Sequence, residues 1–233
     1  MLAMYYSPYY FDPTYLLLIP AIIISFWAQS KVNSAYNKYS RVRNMNGYTG
    51  EQVARMMLNE AGLYDIPIQM VNTKLGDHYD PQSRVLRLSP DVYSGTTIAA
   101  AGIAAHEVGH AIQHQQAYRP LIVRNSIVPV VNISSNLSWI IFFVGIIFSF
   151  KPLVTIGIIL FSAALLFQLI TLPVEFNASN RALSILETRG ILYGDEVKGA
   201  GKVLDAAAMT YVAAALMAIS QLIRLIAISR RND

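Results

Sequence analysis

Residues 106 to 110 read His-Glu-Val-Gly-His, a spacing that can do metal-assisted hydrolysis. On a helix, positions four apart share a face, so the imidazoles of His106 and His110 can converge on one ion with nitrogens at about 2.0 to 2.1 Å. Glu107 points about 100° round the helix. It is badly placed as a ligand beside both histidines, yet it can reach a water at the ion's open position and take its proton. The flanking Gly102, Ala104, Ala105, Ala111 and Ile112 suit a buried helix, in which an unpaired glutamate is costly. The competing reading is a chance pattern on a helix whose histidines merely hydrogen-bond. Against it, the chain has 4 histidines and two of them fall in this one pattern. Gly109 costs roughly 1 kcal/mol relative to alanine inside a helix, which points to a close approach by backbone or substrate.

Zinc, the expected metal cofactor (Zn2+), needs a third protein ligand. The chain has no cysteine, which excludes thiolate ligands, disulfides and cysteine nucleophiles together. His114 extends the face of His106 and His110 but lies about 12 Å along the axis from His106, too far to share an ion with it. His78, within Asp77-His78-Tyr79-Asp80-Pro81, reads more simply as part of a polar turn. Glu175 ends a long apolar run in Leu172-Pro173-Val174-Glu175-Phe176. A lone carboxylate near membrane depth is a functional hypothesis by default, the alternative being a first-turn glutamate after Pro173.

The elements that must hold these residues are mostly apolar helices. Hydrophobic residues make up 54% of the chain and charged ones 14%, a balance that points to lipid rather than to water. The net charge of +4 is small and scattered, so no nucleic-acid partner is expected. A bilayer core takes roughly 20 helical residues. Charge-free runs cover 13 to 30, with Tyr10 and Trp27 near its ends, then 125 to 150 and 152 to 174, with Lys151-Pro152 as a tight turn between antiparallel spans. A shorter run, 206 to 223, is either a fourth span or a buried helix. Before the first run there is no lysine or arginine, so it should remain as an anchor rather than act as a cleaved signal.

The polar stretch from Lys31 to Arg124 has the mixed pattern of a small α+β unit. Thr49 and Gln52 form a capping-box start for a helix to about Gly62. Strand-like pieces follow at 67 to 71 and 84 to 88, although Arg84-Val85-Leu86-Arg87-Leu88 does not divide into two faces. A helix from about Ile98 to Gln116 carries the histidines. Lys31, Lys38, Arg41 and Arg43 follow the first run directly, which places the polar unit in the cytoplasm; a complete fourth span would put Arg230 and Arg231 outside, against the same rule.

The sequence resembles the YugP-like family of membrane zinc metallopeptidases over nearly its whole length. The resemblance is carried by Asp77-His78-Tyr79-Asp80-Pro81, by residues 104 to 113 around the histidines, and by Thr171-Leu172-Pro173-Val174-Glu175-Phe176. Thr210-Tyr211-Val212-Ala213-Ala214 also fits. It implies a zinc-dependent peptidase. A more distant similarity to HtpX-type membrane zinc proteases implies that a glutamate on a later helix, matched by Glu175, completes the site. An aspartate follows four residues on in that group, and here Ser179 stands in its place, so a hydroxyl would support the ligands.

The expectation is therefore a mainly α integral membrane protein of the cell membrane. It has three to four transmembrane helices and a small cytoplasmic α+β insertion carrying the HExxH helix. Its segments are 1 to 30 as anchor, 31 to 124 as the insertion, 125 to 174 as a hairpin, 175 to 205 as a cytoplasmic helix with the third zinc ligand, and 206 to 233 as a last membrane or membrane-associated helix. Zinc on His106, His110 and Glu175, with Glu107 as base, would hydrolyse a peptide or membrane-protein substrate. His78 or Tyr79 is an open candidate for stabilising the oxyanion. The rivals are a zinc hydrolase of a non-peptide substrate and a non-catalytic membrane scaffold.

Overall fold

The structure is a computed structural model that describes residues 12 to 73 and 76 to 231; Tyr10 lies outside them. A 3-10 turn, Pro13–Leu18, leads into α1 (Ile19–Tyr39). The polar unit then contains α2 (Gly50–Glu60), β1 (Ile68–Met70), β2 (His78–Asp80), β3 (Val85–Leu88), α3 (Pro90–Tyr93) and α4 (Ile98–Gln115). Three long helices complete the chain, α5 (Arg119–Ile147), α6 (Lys151–Thr188) and α7 (Asp195–Arg231).

Local chemistry explains the starts. The Thr49 hydroxyl accepts from Gln52 N at 3.2 Å while the Gln52 carboxamide accepts from Thr49 N at 3.0 Å, a complete capping box that opens α2. Thr97 caps α4 by accepting from Ala100 N at 3.2 Å. The small sheet has the order β1-β3-β2, with β1 parallel and β2 antiparallel to β3. As the middle strand, β3 buries Val85, Leu86 and Leu88, which is why its sequence does not alternate cleanly. Residues read as a polar turn instead contribute the edge strand β2. Val53, Met57, Leu58, Leu86 and Leu88 form a core with the alanine-rich α4.

Among the described residues, four helical stretches are long and apolar enough to cross a membrane: Pro13–Tyr39, Arg119–Ile147, Lys151–Thr188 and Asp195–Arg230. The last run, left between span and buried helix by the sequence, thus lies within a helix as long as its neighbours. It runs antiparallel to α1. At one end Arg224 of α7 lies 3.8 Å from Asp12 and 3.9 Å from the centre of the Tyr15 ring. At the other, a Cβ on Gly199 would sit 2.7 Å from the Tyr39 ring.

The α5–α6 hairpin keeps one register throughout. Gly145 meets Val154, Gly157 meets Phe142, and at the far end Arg124 meets Glu175. Glu175 closes the charge-free run but does not start a helix: Pro173 lies inside α6, which continues to Thr188. The expected segment boundaries at 174/175 and 205/206 fall within α6 and α7. A proline removes one backbone bond from a helix and need not end it where neighbouring helices hold both halves.

Candidate metal centre

The site forms where α4 crosses α6. Gly109 makes the crossing close, since a Cβ there would lie 2.6 Å from the Ala178 carbonyl oxygen. Its close approach is therefore to backbone. The crossing brings the His106 and His110 side chains onto Glu175, and among the described residues these three form the one group of histidine and carboxylate ligand atoms that could hold a metal, all within 4.8 Å of one another. Glu175 Oε2 is 3.3 Å from His106 Nε2 and 3.8 Å from His110 Nε2.

These spacings fit zinc. Bonds of about 2.0 to 2.1 Å in a tetrahedron put ligand atoms roughly 3.3 Å apart. The tautomers fit as well. With Nε2 facing the ion position, the Nδ1–H of His106 donates to Ser179 Oγ at 3.1 Å and that of His110 donates to Gln113 Oε1 at 3.0 Å. Gln113 is itself fixed, donating from Nε2 to the Val174 carbonyl and to Asn177 Oδ1, each at 2.9 Å. Arg124 Nη1 lies 3.6 Å from Glu175 Oε1, on the carboxylate oxygen turned away from the histidines.

The local field favours a cation. Burial opposes protonation of His110, but Glu175 and Glu107 more than offset it and raise its pKa above the ordinary imidazole value. The same anionic groups also favour a metal cation at this position. Burial also raises the Asp77 pKa, opposed by hydrogen bonds from Ser89 and reinforced by the Glu107 carboxylate.

Glu107 takes no part in the ligand group. It accepts a hydrogen bond from the backbone N–H of Tyr79 at 3.1 Å, so the edge strand β2 aims it. The Tyr79 hydroxyl is engaged elsewhere, 2.9 Å from His114 Nδ1, which gives His114 a structural partner away from the ion position. His78 is exposed, with Nδ1 2.7 Å from the Gly76 carbonyl and Nε2 3.4 Å from Arg87.

Two cavities meet at these residues. One, of about 390 Å³, lies among α1, α4, α6 and α7 and is lined by Asn33, Tyr36, Ile103 and Val203 as well as His106, Glu107 and Glu175. The other, of about 200 Å³, is bounded by His78, Tyr79, Leu121, Arg124 and Asn125. Tyr211 borders both. Sequence reasoning assigned no role to Gln113, Arg124 and Tyr211. A polar residue inside an apolar helix was the available signal for Gln113 and Tyr211, and a cation at the edge of a charge-free run was the signal for Arg124.

Comparison with known proteins bears on the family. No solved structure matches the chain. A curated protein from Bacillus subtilis (strain 168), named "Putative membrane protease YugP", is 51% identical over 212 residues, covering 91% of this chain and 94% of the relative. The model of a family described as "Putative neutral zinc metallopeptidase" matches residues 14–230. With that match spanning almost the whole chain, this protein belongs to the zinc metallopeptidase family so described.

Proposed function

We propose that the protein is a membrane-embedded endopeptidase in which His106, His110 and Glu175 hold zinc and Glu107 is the general base. The observation that carries this reading is the convergence of three ligand atoms within 4.8 Å of one another beside a glutamate held out of the ligand set. Bound there, zinc would supply a Lewis acid that polarises the scissile carbonyl and lowers the pKa of water toward about 7. The chain's own groups do the rest. Ser179 and Gln113 fix the imidazole tautomers, and Arg124 holds the outer oxygen of Glu175 so that the inner one faces the metal. Glu107 accepts the water proton and passes it to the leaving amine, its carboxylate steadied by the Tyr79 N–H. Tyr211 and Arg124, which line the smaller cavity beside Glu107, would be donors to the developing oxyanion, the Tyr79 hydroxyl being engaged by His114.

The substrate is a peptide segment, including segments of membrane proteins, lying across both cavities at the bilayer surface. The basic residues after the first span support a site on the cytoplasmic side of the cell membrane. Metal content tests the ligand set. Glu175→Ala and His106→Ala, purified in detergent, should each lose most of their zinc; undiminished, tightly bound zinc in Glu175→Ala would remove Glu175 from the set and return His78 to candidacy.

A further inference from the structure

Above the metal centre, the faces of α5 and α6 that line the site continue into the membrane as polar stripes. On α5, Leu121 and Asn125 border the smaller cavity, and the same helical face carries Asn132 and Asn136, both exposed. On α6, Gln168 stands two turns from Glu175 on the same face, partly buried. The hairpin register sets Gln168 at the depth of Asn132, about 10 to 12 Å along the helices from the Arg124–Glu175 contact. Asn136 is one turn deeper.

These carboxamides differ from the other polar groups of the spans. Ser134, Ser138, Ser162 and Thr171 each return their hydroxyl to a carbonyl three or four residues back, which satisfies it within its own helix. Asn136 reaches only the Asn132 carbonyl, at 3.3 Å, while the Asn132 and Gln168 side chains have no hydrogen-bond partner among the described residues. A carboxamide facing hydrocarbon without a partner is costly, because lipid offers nothing to bond. Asn132 and Gln168 without partners at one depth, with the weakly bonded Asn136 a turn deeper, all in line with a hydrolytic centre, call for an occupant that brings donors and acceptors.

We infer that Asn132, Asn136 and Gln168 form a docking track for the transmembrane helix of a membrane-protein substrate carrying a polar side chain or a loosened turn. The track grips that segment in the membrane while the juxtamembrane stretch passes Asn125 into the metal centre. This rests on the peptidase reading and names its substrate class. A second copy of this chain is the competing occupant. Nothing on the stripe favours it, whereas continuity with the cavity favours a chain that goes on to be cut.

The test uses full-length Glu107→Gln protein in proteoliposomes, titrated with two labelled synthetic transmembrane peptides. One is all Leu/Ala; the other carries a single central Asn. The Asn peptide should bind roughly three- to tenfold more tightly than its counterpart, the range expected of interhelical hydrogen bonds. In the added triple variant Asn132→Leu, Asn136→Leu and Gln168→Leu, that preference should vanish. Equal binding of both peptides by the parent protein overturns the inference. So does a preference that survives the triple change, or a loss of self-association between differently labelled copies in its place. Turnover of denatured casein by the triple variant with Glu107 intact should stay within about twofold of wild type, showing a folded and active centre. Casein left uncut by wild type would count against the peptidase reading, while the binding result would still judge the track.

Discussion

At the scale of single residues, each histidine is fixed in ligand geometry by a different neighbour. His106 depends on one hydroxyl, Ser179, whereas His110 depends on Gln113, which is tied twice to α6. Removing the hydroxyl should therefore loosen the metal without abolishing it. Ser179→Ala is expected to weaken zinc affinity about tenfold, the low end for loss of a partner that orients a ligand, with turnover recovered at saturating zinc. Competition with a zinc chelator measures this, and unchanged affinity would deny the hydroxyl its role. The ligand-type residues were legible in the sequence because they are scarce: two histidines at one helical interval, and a lone carboxylate in an apolar stretch. Their supporting groups were not legible. The Tyr79 N–H has no side-chain signature, and Arg124 meets Glu175 only through the α5–α6 register.

At the scale of elements, the site depends on how closely α4 and α6 cross, and that distance is set at Gly109. Alanine there would gain about 1 kcal/mol in helix propensity. It would also set a methyl 2.6 Å from the Ala178 carbonyl oxygen, a backbone atom that cannot move without shifting α6. Overpacking of this kind costs about 1 to 3 kcal/mol or more, so the clash outweighs the propensity. Gly109→Ala should thus lower the thermal midpoint and the zinc content together, and a raised midpoint with full zinc would contradict the crossing. The caps at Thr49 and Thr97 and the apolar run of α4 placed two helices from sequence to within a residue or two. By contrast, β2 is only three residues long, is polar and lies among turn-forming residues, so it shows as a strand only through its pairing with β3. Pro173 and Glu175 together resemble a helix start, and only packing against α4 and α5 shows that α6 runs through them.

At the scale of the whole molecule, the antiparallel pairing of α1 with α7 gives an even number of apolar helices, with the Arg224 end of α7 beside Asp12. We propose that α7 crosses beside α1, which would carry the basic residues at the end of the chain outward against a simple charge count. The chain has no cysteine, so single cysteines report sidedness cleanly. In intact cells, cysteines at Ser149 and Arg230 should react with an impermeant reagent and one at Met45 should not. Protection at 230 together with labelling at 149 would mean that α7 does not cross. Within this frame the metal centre lies where the charge-free runs of α5 and α6 end, at Arg124 and Glu175. The central claim is that this centre uses a metal rather than merely holding one, and the Glu107→Gln protein tests it most directly. Glutamine keeps the size of the side chain but cannot take the proton, so zinc should remain near wild-type stoichiometry while casein turnover falls by roughly a hundred- to ten-thousandfold. Wild-type turnover in a zinc-loaded Glu107→Gln protein would contradict the account.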